Sequence, residues 1–213
     1  MAQSNYDITL SRMPEEFLKY NQQRMIRMFC REYDAQYLYL RLLDRRYRVS
    51  RAAGTIEWED EGVWQHAGFL DAMTIYDLLC CAKDGASLCG RYSQAENLPG
   101  TIHGANPAKG AFDDFAADCD RKPEALRAAC LALGGREIPM GELSFEIPLF
   151  DFLPVMVQFW SSDEEFPPVF NPVVDDYYKG MATTLMLHNR LLNGRPTAEN
   201  IAEALAGFYA GQS

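Results

Sequence analysis

The sequence lacks any uninterrupted apolar run near the roughly 18 residues that a membrane-crossing helix requires. Its longest run, Phe152-Leu153-Pro154-Val155-Met156-Val157, is closed by Gln158 before Phe159-Trp160. The first ten residues contain Asp7 and no basic-then-apolar layout, so no secretory leader is expected and the expected location is the cytoplasm. Histidine is scarce. His66, His103 and His188 lie far apart and form no H-x-x-x-H or H-E-x-x-H, which argues against a familiar zinc hydrolase. The six cysteines (30, 80, 81, 89, 119 and 130) include no C-x-x-C pair of the kind that marks zinc, thioredoxin-like or cluster sites. G-x-S-x-G, P-loop and dinucleotide fingerprints are also missing, and Gly85, Gly90, Gly100, Gly104 and Gly110 are too widely spread to cradle a phosphate.

An excess of positive charge is missing too. The net charge is −10, and an acidic body repels nucleic acid and anionic lipid, so neither is an expected partner. The charge is uneven: residues 12–51 hold ten Arg and Lys against five Asp and Glu, a basic stripe on an otherwise acidic chain. That stripe would meet an acidic partner or pair with the acidic body.

What is present is ordinary globular material. An apolar fraction of 48% with 23% charged residues is close to ordinary globular usage and argues against disorder. A chain of 213 residues can bury roughly 70% of its unfolded surface and needs no disulfide staples. The cysteines are therefore expected as reduced thiols. Cys80, Cys81 and Cys130 lie in apolar, helix-like stretches, and Cys81 and Cys89 are the pair to watch for metal or redox chemistry.

Periodicity predicts the elements. A first helix is expected over 14–32, opened by Pro14, Glu15 and Glu16, with Leu18, Met25, Met28 and Phe29 on one face. In 36–43, Leu38, Leu40 and Leu42 alternate with Tyr37, Tyr39 and Arg41, the period of a half-buried strand, and strands over 47–51 and 55–59 complete a β-meander. A buried helix is expected over 71–83, from Ala72, Ile75, Tyr76, Leu79 and Cys80. A long Gly- and Pro-rich loop then spans 84–110. Pro123 opens a helix over 124–133 that Gly134-Gly135 ends. Strands follow over 142–147 and 152–160, the second read as an edge strand because of Pro154. Helices are expected over 176–192 and 198–208. Strands in two blocks with about five helices make the fold class α+β, arranged as an N-terminal helix, 1–34, on a single domain, 35–213.

The densest chemistry lies in Phe159-Trp160-Ser161-Ser162-Asp163-Glu164-Glu165-Phe166-Pro167-Pro168. Asp163 and Glu164 are candidate ligands of a hard cation, with Asp151, Asp175 and Asp176 expected to converge on them. Asp163, Glu165, Trp160, Phe166 and the loop residue His103 are candidate ligand-binding groups. The competing structural reading pairs the three acids with Arg24, Arg41 or Arg48, Glu165 foremost. Trp160 and Phe166 are expected to be mostly buried.

Several of these segments carry a resemblance. Ile75-Tyr76-Asp77-Leu78-Leu79, Gly134-Gly135, Gly141-Glu142-Leu143-Ser144-Phe145, Phe150, Leu153-Pro154, Phe159-Trp160 and Asp163-Glu164-Glu165-Phe166-Pro167-Pro168 look like the signature of an uncharacterised bacterial and archaeal domain of unknown function. The resemblance spans roughly residues 35–190, and the Asp-x-Glu-Phe-Pro element is its most specific part. That family is common in anaerobes. Some of its members are joined to a four-cysteine iron–sulfur domain, including proteins associated with corrinoid methyl transfer. Here Glu142 stands where the family more often has Asp, and no iron–sulfur module is present. The resemblance implies an anaerobe's cytoplasm and a cofactor-associated binding role.

The functional expectation is an accessory protein of anaerobic metabolism that binds a cofactor or small ligand. The first alternative is a divalent-cation-dependent enzyme using Asp163, Glu164 and Glu165. The second is a protein–protein interaction module.

Overall fold

Leucine alternation decides how the first sheet lies. In a computed structural model, which describes residues 5–82, 84–85, 87–94 and 113–175, strand β2 (Tyr37–Leu42) buries Leu38, Leu40 and Leu42 and turns Tyr37, Tyr39 and Arg41 outward. Strand β1 (Glu32–Tyr33) pairs with β2 on one side, and β3 (Arg45–Ser50), β4 (Ile56–Asp60) and β5 (Val63–His66) continue the meander on the other. The second block comprises β6 (Tyr92–Gln94), β7 (Arg136–Glu137), β8 (Leu143–Phe150), β9 (Leu153–Trp160) and β10 (Val169–Asp175). All pairings are antiparallel, and the main path of the sheet runs β5-β4-β3-β2-β8-β9-β10-β6, with β7 on β8.

Helices α1 (Asn5–Phe17), α2 (Gln22–Met28), α3 (Phe69–Tyr76), α4 (Asp113–Arg121) and α5 (Pro123–Ala132) accompany the sheet, and a π-helical turn, Asp77–Cys81, prolongs α3. The fold is α+β, as the two blocks of strands predicted. One core contains Phe17, Met25, Leu38, Tyr47, Ile75, Leu78, Cys130, Phe145 and Phe159, so both strand blocks and the N-terminal helices share it.

Several local expectations are corrected. The helix expected over 14–32 is two helices. Pro14 lies inside α1, and the chain breaks before Asn21, whose side chain accepts the Arg24 amide and caps α2. The acids after Pro14 mark the end of a helix, not its start. β9 is a central strand, flanked by β8 and β10. Pro154 is accommodated because it faces Pro148 beside a register shift, and pairing with β10 begins only at Val155. No strand is expected over 169–175, but β10 pairs with β9 from Val169 to Val174, Pro172 included. Pro172 sits just outside the stretch, Val173 to Asp175, that β6 covers. The strand β5 and the helix α4 were missed altogether. The expected helices over 176–192 and 198–208, and most of the 84–110 loop, lie outside the described residues.

Burial sets the behaviour of the thiols. Cys30, Cys80, Cys119 and Cys130 are buried, and loss of solvent pushes each of them up to about 12. Cys81 is half-buried and Cys89 exposed. With the native protein at pH 8, iodoacetamide labelling read by mass spectrometry should modify Cys89 first and Cys81 slowly. The other four should react only when the chain is unfolded. Because these thiols have a higher pKa folded than unfolded (about 9), their contribution to stability is complete below pH 9 and lost as pH rises towards 12. Cys130→Ala should therefore flatten the alkaline fall of the melting temperature. Rapid labelling of Cys130 in the native state would contradict this placement.

Candidate functional site

The segment richest in predicted chemistry turns out to be a hydrogen-bonded turn. Asp163 uses its carboxylate Oδ1 to accept the Glu165 and Phe166 amides, at 2.8 Å each, while its own amide donates to the Phe166 carbonyl at 3.0 Å. This is the geometry by which Asp closes a turn on itself. Neighbouring acids cap the same strand end. Glu142 accepts the Ser161 amide at 2.8 Å, and Asp120 accepts the Ser162 hydroxyl and amide at 2.6 and 3.0 Å. The Ser161 amide holds the Glu142 carboxyl below the usual carboxylate range, and the Ser162 hydroxyl and amide do the same for Asp120.

Glu164 and Glu165 are exposed, and among the described residues neither they nor Asp163 form an ion pair. The arginines expected as their partners are engaged elsewhere: Arg24 with Asp84 and the Ala82 carbonyl, Arg48 with Glu57 at 2.7 Å, and Arg41 with the Leu43 carbonyl at 3.2 Å. Phe166 is 64% exposed, contrary to expectation, because the turn faces it away from the sheet. Trp160 is half-buried at the end of β9 and covers Gly141, where a Cβ would lie 3.1 Å from its ring.

Of the acids expected to converge on Asp163, neither Asp151 nor Asp175 does. Asp151 lies in the β8–β9 turn, at the other end of β9, and Asp175 is only 1% exposed, accepting the Cys89 and Gly90 amides at 2.9 and 2.7 Å. Asp176 and His103 lie outside the described residues. Among the described residues no group of three or more His, Cys, Asp or Glu is disposed to hold a metal ion.

A different place has the form of a site. The two strand blocks meet at β2 and β8, where Leu42 opposite Phe150 is the one residue pair in register, helped by the Leu43 amide donating to the Leu149 carbonyl at 2.7 Å. Over this seam opens a cleft of about 350 Å³. Its apolar wall is the half-buried ring of Phe152, backed by the buried rings of Phe29 and Phe150. Phe29 of the α2 C-terminus lies on Phe152 at 5.5 Å between centroids, and Phe152 lies on Phe150 at 6.0 Å. Its polar rim carries Arg31, Arg41 and Arg46 with Glu32, Asp44 and Asp151. A volume of this size falls at the lower end of the roughly 300–1,000 Å³ of ligand pockets.

Two features of the rim cost the fold stability. Leu43, between β2 and β3, has φ +54, a left-handed conformation that costs a branched residue about 1–2 kcal/mol. Arg41 lies directly opposite Arg46 across the β2–β3 register, a like-charge pair that is unfavourable on a sheet face. Arg46 is compensated by Glu32 at 2.5 Å and Glu59 at 3.2 Å, and its guanidinium lies over the Tyr39 ring at 4.8 Å. Arg41 has no such compensation: its Nε binds the strained Leu43 carbonyl, and among the described residues its terminal nitrogens have no partner. Local rules broken at one place without local gain are the mark of a functional constraint.

The sequence contained this signal only in part. Phe150 belongs to the resemblance, and the leucine alternation places Arg41 on the outer face of its strand. Phe29, Phe152 and Asp151 are brought together by the hairpin and α2, which no local pattern specifies.

Residues 23–182 match the family model described as Domain of unknown function (DUF3786), a stretch that contains every residue of the cleft. No curated protein and no solved structure matches the chain.

Proposed function

The chain belongs to that family of unknown function, and we propose that it is a non-catalytic, cytoplasmic protein that binds a small organic ligand in the cleft over the β2–β8 seam. The observation that carries this reading is the juxtaposition of a stacked phenylalanine wall with a guanidinium held on a strained turn and given no carboxylate. An apolar wall with a few convergent polar groups is how small-molecule sites bind and orient. The wall would take a flat hydrocarbon body, and the rim would select its charged substituents. The net charge of −10 speaks against a polyanionic partner, and no described helix is long and apolar enough to cross a membrane.

Anilinonaphthalene sulfonate, an aromatic anion, is a direct probe of this site. Its fluorescence should rise saturably with one probe bound per chain. Arg41→Ala and Phe152→Ala should each weaken it at least fivefold while leaving the far-ultraviolet circular dichroism of the parent. Absence of saturable binding, or equal affinity in both folded variants, would overturn the reading.

A further inference from the structure

The charges on the rim narrow the class of ligand further, on the premise that the seam cleft is the binding site. Arg46 and Glu32 neutralise each other. Once that pair is set aside, the rim retains Arg31 and Arg41 on one side of the balance and Asp44 and Asp151 on the other. Among the described residues none of these four forms an ion pair, and Arg41 alone of them makes a side-chain hydrogen bond, to a backbone carbonyl. All four are exposed, so each is hydrated and needs no internal partner to be stable. A ligand lying against the phenylalanine wall would strip water from charges of both signs. A purely anionic ligand would meet Arg31 and Arg41 but would also crowd Asp44 and Asp151, and a purely cationic one would meet the reverse.

We infer that the cleft takes an aromatic zwitterion: a flat apolar ring carrying both an ammonium and a carboxylate, as in an aromatic amino acid or a close derivative. Arg41 is the carboxylate reader. Its Nε is fixed by the Leu43 carbonyl at 3.2 Å, which leaves the planar fork of terminal nitrogens to grip two oxygens. Asp151 is the ammonium reader. It occupies the β8–β9 turn directly between Phe150 and Phe152, two of the rings of the wall, so a bound ring and a bound ammonium would be neighbours there. The left-handed Leu43 fits this account, because the turn that holds its carbonyl in place also aims Arg41. Specificity arises as much from repulsion as from attraction, since either single-charge analogue leaves one pair of rim charges facing a like charge or desolvated without a partner.

The test is displacement of anilinonaphthalene sulfonate from the full chain by three compounds that share the indole ring: L-tryptophan, indole-3-propionate and tryptamine. L-Tryptophan should displace the probe at a concentration at least tenfold lower than either analogue. Arg41→Gln should weaken indole-3-propionate at least threefold and leave tryptamine within twofold. Asp151→Asn should do the opposite. Both positions are exposed, so the variants should melt within a degree or two of the parent. Displacement by an analogue as effective as L-tryptophan, or equal effects of the two variants on both analogues, would overturn the zwitterion assignment while the cleft remained a binding site. Failure of the probe itself to bind saturably would instead remove the premise, and the two failures are thereby distinguished.

Discussion

Gly54→Ala is expected to lower the melting temperature by about 6–12 °C, the equivalent of about 3 kcal/mol in a chain of this size. Two costs add. Gly54 has φ +74, which a side chain tolerates poorly. A Cβ built there would also lie 2.4 Å from the Pro14 carbonyl oxygen and 2.9 Å from its carbon and Cα. All three are backbone atoms, so no rotamer change relieves the clash, and α1 would have to lift off the β3–β4 turn. That movement would disturb a buried hydrogen bond, because the Tyr76 hydroxyl donates to the Gly54 carbonyl at 2.7 Å. It would also disturb the packing of Phe17 on Tyr76, whose centroids are 6.2 Å apart. Gly62→Ala isolates the conformational part. Gly62 has φ +83 but nothing within 4 Å of its Cβ position, so its loss should be about 1 kcal/mol. Equal losses in the two variants, read by thermal denaturation, would show that α1 does not sit against this turn.

Phe150→Ala should cost about 3–5 kcal/mol and abolish probe binding in the cleft. Phe150 is fully buried, pairs with Leu42 at the one point where β2 and β8 are in register, pairs with Leu153 across the hairpin, and stacks on Phe152. Truncation would open a cavity beneath the seam and remove the ring that supports Phe152, the half-buried face of the ligand wall. Phe150→Leu keeps most of the volume and should retain most of the stability. Phe166→Ala provides the contrast: an exposed ring on a turn should change stability by less than about 0.5 kcal/mol. A loss at Phe166 comparable to that at Phe150 would mean that the 159–168 segment anchors the fold after all.

These two phenylalanines show where sequence reasoning works and where it stops. Leu38, Leu40 and Leu42 could be assigned to the core from their spacing alone, because a strand alternates its faces whatever surrounds it. The helix over Pro123–Ala132 was legible for a similar reason: proline suits a first turn, and Gly134, at φ +76, suits the end. Such signals are local, carried by the backbone preferences of a few consecutive residues. Density of chemistry is not a local signal of the same kind. The acids at 163–165 are adjacent in sequence, but adjacency does not fix what each does in the fold: Asp163 closes a turn on the Glu165 and Phe166 amides.

The sequence by itself determined the α+β class, the first meander, the helix opened by Pro123 and the absence of familiar catalytic signatures. Tertiary structure alone decided that β2 and β8 meet, that β9 is central despite Pro154, and that Phe29, Arg41, Asp151 and Phe152 line one cleft. The physical reason lies in the range of the forces. Propensity, capping and alternation act over a few residues and are written in consecutive letters. The seam joins residues more than a hundred positions apart, and their meeting is selected by the burial of one shared core, to which no single segment holds the key.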